Sequence, residues 1–132
     1  MLETVDFSRE PLSKDAYKAR RDEPMERLVV LQQQARVQGV GLVVNPGCTV
    51  ASSRTAVELA HRFPHVYAAV GIHPEDCDGF QDGDLTELRQ LLERPKVVAI
   101  GEIGLDYYWE DNPPRAFQQT VFRKQLALAA EL

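Results

Sequence analysis

The chain has 132 residues, enough for one domain with a hydrophobic core, and 27% of them are charged. Its net charge of −5 argues against a surface that binds nucleic acid through basic side chains alone, although bound metal ions can supply positive charge locally. No stretch is long and apolar enough to span a bilayer, and acidic residues near the start exclude a secretory signal peptide. The two cysteines, Cys48 and Cys77, form no CxxC pair. We therefore expect a cytoplasmic, single-domain chain without a disulfide or a membrane partner.

The first 24 residues show little periodicity. Leu2–Phe7 has the composition of a short strand, whereas residues 8–24 are charged and contain two prolines. We expect residues 1–24 to form an irregular segment that includes at most one strand, and residues 25–132 to form the folded unit.

From Met25 onwards, predicted helices and strands alternate. Helical spacing of apolar residues, with Gly or Pro at the ends, predicts four helices: 25–38, 51–63, one from Asp84 to just before Pro95, and one from Pro113 to the end. Ser52 or Thr49 is expected to cap the second helix and Asp84 the third. The expected buried face of the last helix consists of Ala116, Phe117, Val121, Phe122, Leu126 and Ala129. Continuous apolar runs predict strands at 40–44, 65–71 and 96–101.

This alternation is typical of a parallel sheet built from right-handed βαβ units. The pattern fits both a doubly wound open sheet and a (β/α)8 barrel. In both folds the functional site lies at the carboxyl ends of the strands. Three polar residues follow the three predicted strands, and we expect them on one rim: Asn45, His73 and Glu102.

Glu102 follows four apolar residues directly, which predicts a partly buried carboxylate at a strand end. Such a carboxylate is costly unless it binds a cation or pairs with a basic side chain, and spacing alone leaves both interpretations open. Gly101 and Gly104 beside it allow close backbone approach or positive φ.

The histidines differ in their expected environment. His73 lies between a strand and Pro74, where an imidazole can be a ligand, an acid or base, a donor to substrate, or a group bonded to the loop backbone. His61 and His65 lie at the opposite end of the strands, and we expect both at the surface.

Three other features carry weaker functional signals. The acidic residues between Glu75 and Asp84 lack calcium-loop spacing and predict a solvated loop. The aromatic run from Tyr107 to Trp109 can line a pocket, stack on a base or cap the barrel end. Neither cysteine has a neighbouring base in sequence, which disfavours a nucleophile.

Two segments resemble a known family. Residues 68–74 (AAVGIHP) and 97–108 (VVAIGEIGLDYY) resemble the two signature segments of TatD-type metal-dependent hydrolases, and the resemblance extends over about residues 25–132. It implies a partial (β/α)8 TIM barrel with about the first four βα units. It also implies hydrolysis of phosphodiester bonds in DNA by a water that two divalent metal ions activate, without distinguishing Mg, Mn and Zn.

The resemblance also implies roles for single residues. Glu102 matches the metal-bridging glutamate of the family. His73 matches a histidine of the active-site rim, with a catalytic role through substrate contact or through support of a metal ligand.

The chain also departs from the family pattern. The family's opening His-x-His pair would fall at Ser8 and Glu10, and its later ligands, two histidines and an aspartate, would lie beyond Leu132. A full barrel needs about 250 residues. We therefore expect an incomplete barrel that is weakly active or inactive alone and that self-associates through open sheet edges. The alternatives are a non-catalytic half-barrel binding or assembly module, and a hydrolase of small amides or lactones.

Overall fold

The structure is a computed structural model that describes residues 37–132. Within them, Gly39–Leu132 forms one compact unit. The elements, in chain order, are β1 (Val43–Pro46), α1 (Val50–Arg62), β2 (Val66–Val70), a 3-10 turn (Pro74–Asp76), α2 (Asp82–Leu92), β3 (Val97–Ile100) and α3 (Arg115–Ala130). The predictions for residues 1–24, for the helix from Met25, and for Ser8 and Glu10 lie outside the described residues.

The described strands form one parallel sheet in the order β1-β2-β3. Val43 pairs with Val66 and Ala69 with Ala99, with one register irregularity between Ala68 and Ala69. The predicted parallel βαβ arrangement is thereby confirmed. The core lies between the sheet and the helices and includes Ala56, Val57, Ala60, Val66, Ala68, Val70, Ile72, Leu88, Val121 and Leu128.

Strand β1 lies further along the chain than predicted. Its pairing begins where Val43 N donates to His65 O at 3.0 Å, and it continues through Pro46, which pairs with Ala69. The position of β2 therefore fixes which residues of β1 can pair, and the glycines on both sides of Val40 leave that residue outside the ladder. Asn45 and Pro46, which follow the predicted strand, belong to β1.

Helix α1 begins with both of the residues that the sequence offered as caps. Thr49 is the N-cap, and its side chain accepts a hydrogen bond from Ser52 N at 3.0 Å. The Ser52 hydroxyl in turn accepts from Thr49 N at 2.8 Å, which completes a capping box.

Helix α2 starts two residues earlier than predicted. Gln81 is the N-cap, and Asp84 lies one turn inside, where its carboxylate accepts from Gln81 N at 2.8 Å. Asp84 is thus the third helical residue of a capping arrangement, and its predicted role as the cap itself is wrong.

The face of helix α3 that packs on the core overlaps the predicted one only in part, through the buried Val121 and through Phe117, which packs against the core. Its buried residues are Gln118, Val121, Gln125 and Leu128, whereas Leu126 and Ala129 are exposed. The buried stripe follows helical spacing, but two of its four positions are amides. The glutamines face inwards because backbone groups of the strand-end loops hydrogen-bond to them.

Two predictions about exposure are also wrong. His65 is buried, with its ring edge-on to Phe63 at a centroid distance of 6.5 Å, whereas His61 is exposed as predicted. In the continuously apolar strand β3, Val98 is 55% exposed. Within the described residues, Val98 and Ala99 of β3 are both accessible, and Val97 and Ile100 are partly buried against the core.

Candidate functional site

Glu102 lies just beyond the carboxyl end of β3. Gly101 N donates to Val70 O at 2.9 Å, so pairing with β2 reaches the residue before it. Glu102 N donates to Gly47 O, also at 2.9 Å. Its side chain is 55% exposed, which corrects the expected partial burial. Its carboxylate is accessible to a ligand, and no desolvation cost has to be offset.

His73 follows β2 and is held at two points. Its backbone N–H donates to Cys48 O at 2.9 Å, and its ring Nδ1 accepts from Glu75 N at 3.3 Å, which caps the 3-10 turn. Because a backbone N–H can only donate, Nδ1 of the neutral ring is the unprotonated nitrogen, and the proton is on Nε2. The loop backbone thus selects one tautomer of His73.

His73 and Glu102 face each other. His73 Nε2 lies 3.9 Å from Glu102 Oε1, which places the ring's N–H beside the accessible carboxylate. The Arg or Lys partner that the sequence left open for Glu102 is not found in the part of the chain that the structure describes, where its ion-pair contact is His73. Two of the three predicted rim residues are therefore brought together.

Asn45, the third predicted rim residue, is buried in β1, and its amide nitrogen has no hydrogen-bond partner within residues 37–132. Glu75 is also buried, at 5% exposure, and its Oε2 likewise lacks a partner there. The prediction of a solvated acidic loop is therefore wrong for Glu75, whereas Asp78 and Asp82 are exposed. The 3-10 turn that His73 caps folds Glu75 inwards.

The loop after β1 joins the two facing residues, because Gly47 O and Cys48 O accept the backbone hydrogen bonds of Glu102 and His73. This loop packs closely on α1. A Cβ at Gly47 would lie 2.3 Å from Ser53 Oγ, so only glycine fits there. Gly104 adopts a φ of 151°, which confirms the expected positive φ beside Glu102.

Two buried glutamines of α3, which were not among the predicted site residues, contact the loops after β2 and β3. Gln125 accepts from Ile72 N at 2.8 Å and donates to Ile72 O at 3.0 Å. Gln118 accepts from Asp106 N at 2.9 Å and donates to Asp106 O at 2.8 Å. The sequence feature that could have identified Gln118 and Gln125 is their seven-residue spacing. This spacing places both on one helix face with Val121 and Leu128.

The tyrosines of the aromatic run after Asp106 differ in their side-chain contacts and exposure. Arg115 lies over the Tyr107 ring at 4.6 Å from its centroid, and Gln119 donates to the Tyr107 hydroxyl at 3.1 Å. Tyr108 is 74% exposed and contacts Trp109 edge-on. Tyr107 and Trp109 line a shallow cavity with Gln118, in agreement with the predicted pocket, and the other two predicted uses stay predictions.

The buried cysteine is poorly suited to nucleophilic chemistry. Burial, together with the neighbouring Asp78 carboxylate, raises the pKa of the Cys77 thiol. Cys77 Sγ donates to Pro74 O at 3.1 Å. The thiol is thus held protonated, in keeping with the prediction against a nucleophile.

The described residues can supply part of a metal site but do not form a complete one. Catalytic metal sites commonly use three protein ligands and a water. Within residues 37–132, no group of three or more His, Cys, Asp and Glu side chains is placed to hold a metal ion. Glu102 thus offers one accessible carboxylate, and the described residues do not complete a metal site around it.

The sequence of the chain matches the model of the TatD-related DNase family over residues 12–132. The chain belongs to this family. YabD of Bacillus subtilis, described as an uncharacterized metal-dependent hydrolase, is 39% identical over 100 residues, which are 76% of this chain and 39% of YabD. The 3'-5' ssDNA/RNA exonuclease TatD of Salmonella typhimurium is 35% identical over 99 residues, 75% of this chain and 38% of the relative.

A solved structure of the same family has a similar fold. The crystal structure of YjjV, a TatD homologue from Escherichia coli K12, superposes with a TM-score of 0.66 at 36% identity, over 76% of this chain and 41% of that one. The predicted family and α/β fold are thereby confirmed. The chain spans about two fifths of the length of these TatD relatives. None of the helices described here has both the length and the apolarity of a membrane-spanning helix.

Proposed function

We propose that the chain belongs to a metal-dependent hydrolase that cleaves phosphodiester bonds of single-stranded nucleic acid, with DNA as the expected substrate. The observation that carries the proposal is the facing pair of Glu102 and His73, 3.9 Å apart, within the two family segments. The printed descriptions of the relatives as metal-dependent hydrolases and ssDNA/RNA exonucleases support the reaction class.

In this proposal Glu102 is a metal ligand. Its carboxylate is accessible, and carboxylate oxygens suit Mg²⁺, Mn²⁺ and Zn²⁺ alike. Bound divalent cations would lower the pKa of a water and stabilise charge on the attacked phosphate. Two such ions per complete site are the expected number.

His73 serves as a hydrogen-bond donor to the substrate. Because Glu75 N occupies Nδ1, the neutral ring has its N–H at Nε2, on the side of Glu102. A phosphate oxygen held beside Glu102 would therefore meet a fixed donor, and a charge-assisted hydrogen bond of this kind is stronger than a neutral one. The same tautomer leaves Nε2 unable to act as a metal ligand or a base without loss of its proton.

The 132-residue chain alone is expected to bind divalent metal weakly and to hydrolyse DNA negligibly, because Glu102 has no further ligands among residues 37–132. The test is a titration of the pure chain with Mn²⁺, followed by calorimetry. Weak binding that Glu102→Gln abolishes is the expected result. Glu58→Gln, on the exposed side of α1, is the matched control and should bind Mn²⁺ as the wild type does.

The same proteins are then incubated with Mg²⁺ or Mn²⁺ and a labelled single-stranded oligonucleotide. Metal-dependent cleavage at a high rate by the 132-residue chain, lost in Glu102→Gln, would contradict the expected negligible activity while supporting the site. Mn²⁺ binding that Glu102→Gln leaves unchanged would refute the role of Glu102.

A second candidate function is a non-catalytic half-barrel that serves as a binding or assembly module. The exposed apolar side chains Val44 and Val98 on β1 and β3 favour it. A defined dimer that contains no metal in elemental analysis would support this candidate, and stoichiometric metal would exclude it.

A further inference from the structure

We propose that Gln125 is a positioning residue, which orients the His73 imidazole toward Glu102 by fixing the backbone of Ile72. This inference rests on the proposed function of His73 and names the residue that acts through it. It begins from an unusual contact: one buried side-chain amide bonds both polar backbone groups of a single residue.

Ile72 lies where the sheet no longer holds the chain. Strand β2 ends at Val70, and the N–H and C=O of Ile72 bond to Gln125 in place of a neighbouring strand. Gln125 is 1% exposed, so its amide has no access to bulk water as an alternative partner. Buried amides and backbone groups are costly when unpaired, about 1–3 kcal/mol each, so the two groups fix each other's position.

The contact acts on His73 because His73 is the next residue. With Ile72 fixed by Gln125 and His73 N fixed by Cys48 O, the backbone between them has little freedom to rotate. The ring then has to point where Glu75 N can donate to Nδ1, and this leaves Nε2 toward Glu102. Removal of the Gln125 amide frees the backbone of Ile72. It leaves the His73 ring, Glu75 N and Glu102 chemically unchanged.

Gln118 provides a matched comparison within the same helix. It is equally buried, and it bonds both backbone groups of Asp106, in the loop after β3. Its amide also donates to Pro113 O at 2.8 Å. A loss of Gln118 should therefore disturb the loop of Asp106 and leave Ile72 and His73 in position.

The test compares Gln125→Met and Gln118→Met by nitrogen NMR of the imidazoles, in metal-free buffer at a pH where the rings are neutral. In the wild type His73 should show a protonated Nε2 and an unprotonated Nδ1. We expect Gln125→Met to move both nitrogens toward the averaged shifts of a mixed tautomer population, and Gln118→Met to leave them at the wild-type values. Gln125→Glu keeps the acceptor for Ile72 N but, when ionised, lacks the donor to Ile72 O, so we expect it to move the same two nitrogens in the same direction.

Unchanged His73 signals in Gln125→Met, or an equal change in Gln118→Met, would overturn the proposal. If Gln125→Met does not fold, the comparison of Gln125→Glu with Gln118→Met decides, because wild-type signals in Gln118→Met and displaced signals in Gln125→Glu are then required. The readout needs no metal and no turnover. A failure of the proposed hydrolase function would appear as absent Mn²⁺ binding in the wild type, which this measurement does not use.

Discussion

At the scale of single residues, the candidate site depends on how closely the loop after β1 approaches helix α1. Gly47 O and Cys48 O hold Glu102 and His73, and Gly47 itself contacts Ser53. The Ser53 hydroxyl accepts from Gly71 N at 3.1 Å and donates to Gly71 O at 3.3 Å. One buried hydroxyl thus fixes the residue that follows β2, next to the residue that Gln125 holds.

We predict that Gly47→Ala destabilises the protein and displaces the site loop. The added Cβ would lie 2.5 Å from the backbone Cα of Ser53, so either the loop or the first turn of α1 has to move. Steric overpacking of this kind costs about 1–3 kcal/mol. Urea unfolding measures the loss, and Mn²⁺ binding reports the displacement of Glu102.

Gly83→Ala is the control for this substitution. Gly83 lies in the first turn of α2 with nothing within 4 Å of its added Cβ, so alanine should raise the free energy of unfolding by about 0.5–1 kcal/mol. Equal unfolding free energies for Gly47→Ala and the wild type would contradict the close approach at Gly47.

The sequence was sufficient to locate Glu102 and His73 but not to describe their surroundings. Their positions follow from apolar runs that end just before them, a pattern local in sequence. The exposure of Glu102 and the burial of His65 and Glu75 depend on which segments cover each loop, which no local pattern specifies. Gln125 was missed because an amide on a helix is usually solvated, and its partner is 53 residues away.

At the scale of elements, the predicted starts of α1, β2 and β3 each lie one residue from the observed start, whereas those of β1, α2 and α3 differ more. The capping residues of α1 lie only three positions apart in sequence, so Thr49 and Ser52 could be recognised. The start of β1 depends on its register with β2, and the pairing of Val43 with Val66 moved it by three residues from the predicted Val40. Asp84 was assigned to the wrong capping position because Asp serves both at the cap and one turn inside.

We predict that Thr49→Ala lowers the free energy of unfolding by about 1 kcal/mol, because it removes the hydroxyl that accepts from Ser52 N. Thr55→Ala is the matched control: Thr55 is exposed on the same helix and donates only to Ala51 O. Alanine should be neutral or slightly stabilising there. Thermal or urea unfolding of both variants measures the difference, and equal stabilities would refute the capping role.

At the scale of the whole molecule, the described part of the sheet leaves an apolar surface accessible on its flanking strands. Buried β2 residues Val66, Ala68 and Val70 pack under the helices, whereas Val44 and Val98 are accessible on the strands that flank β2. The chain spans about two fifths of the length of these relatives. An accessible apolar surface of this kind favours association with another protein surface.

We predict that the 132-residue chain self-associates through this face and that Val98→Lys weakens the association. A lysine on β3 places a charge in the middle of the apolar surface and also opposes pairing at the strand edge. Leu126→Lys is the matched control, because Leu126 on α3 is similarly accessible, at 46% against 55% for Val98, but lies on a helix. Light scattering coupled to size-exclusion chromatography should show a concentration-dependent dimer for the wild type and for Leu126→Lys, and a monomer for Val98→Lys. A monomeric wild type across the whole concentration range, or a dimer that Val98→Lys leaves intact, would remove this face as the site of self-association.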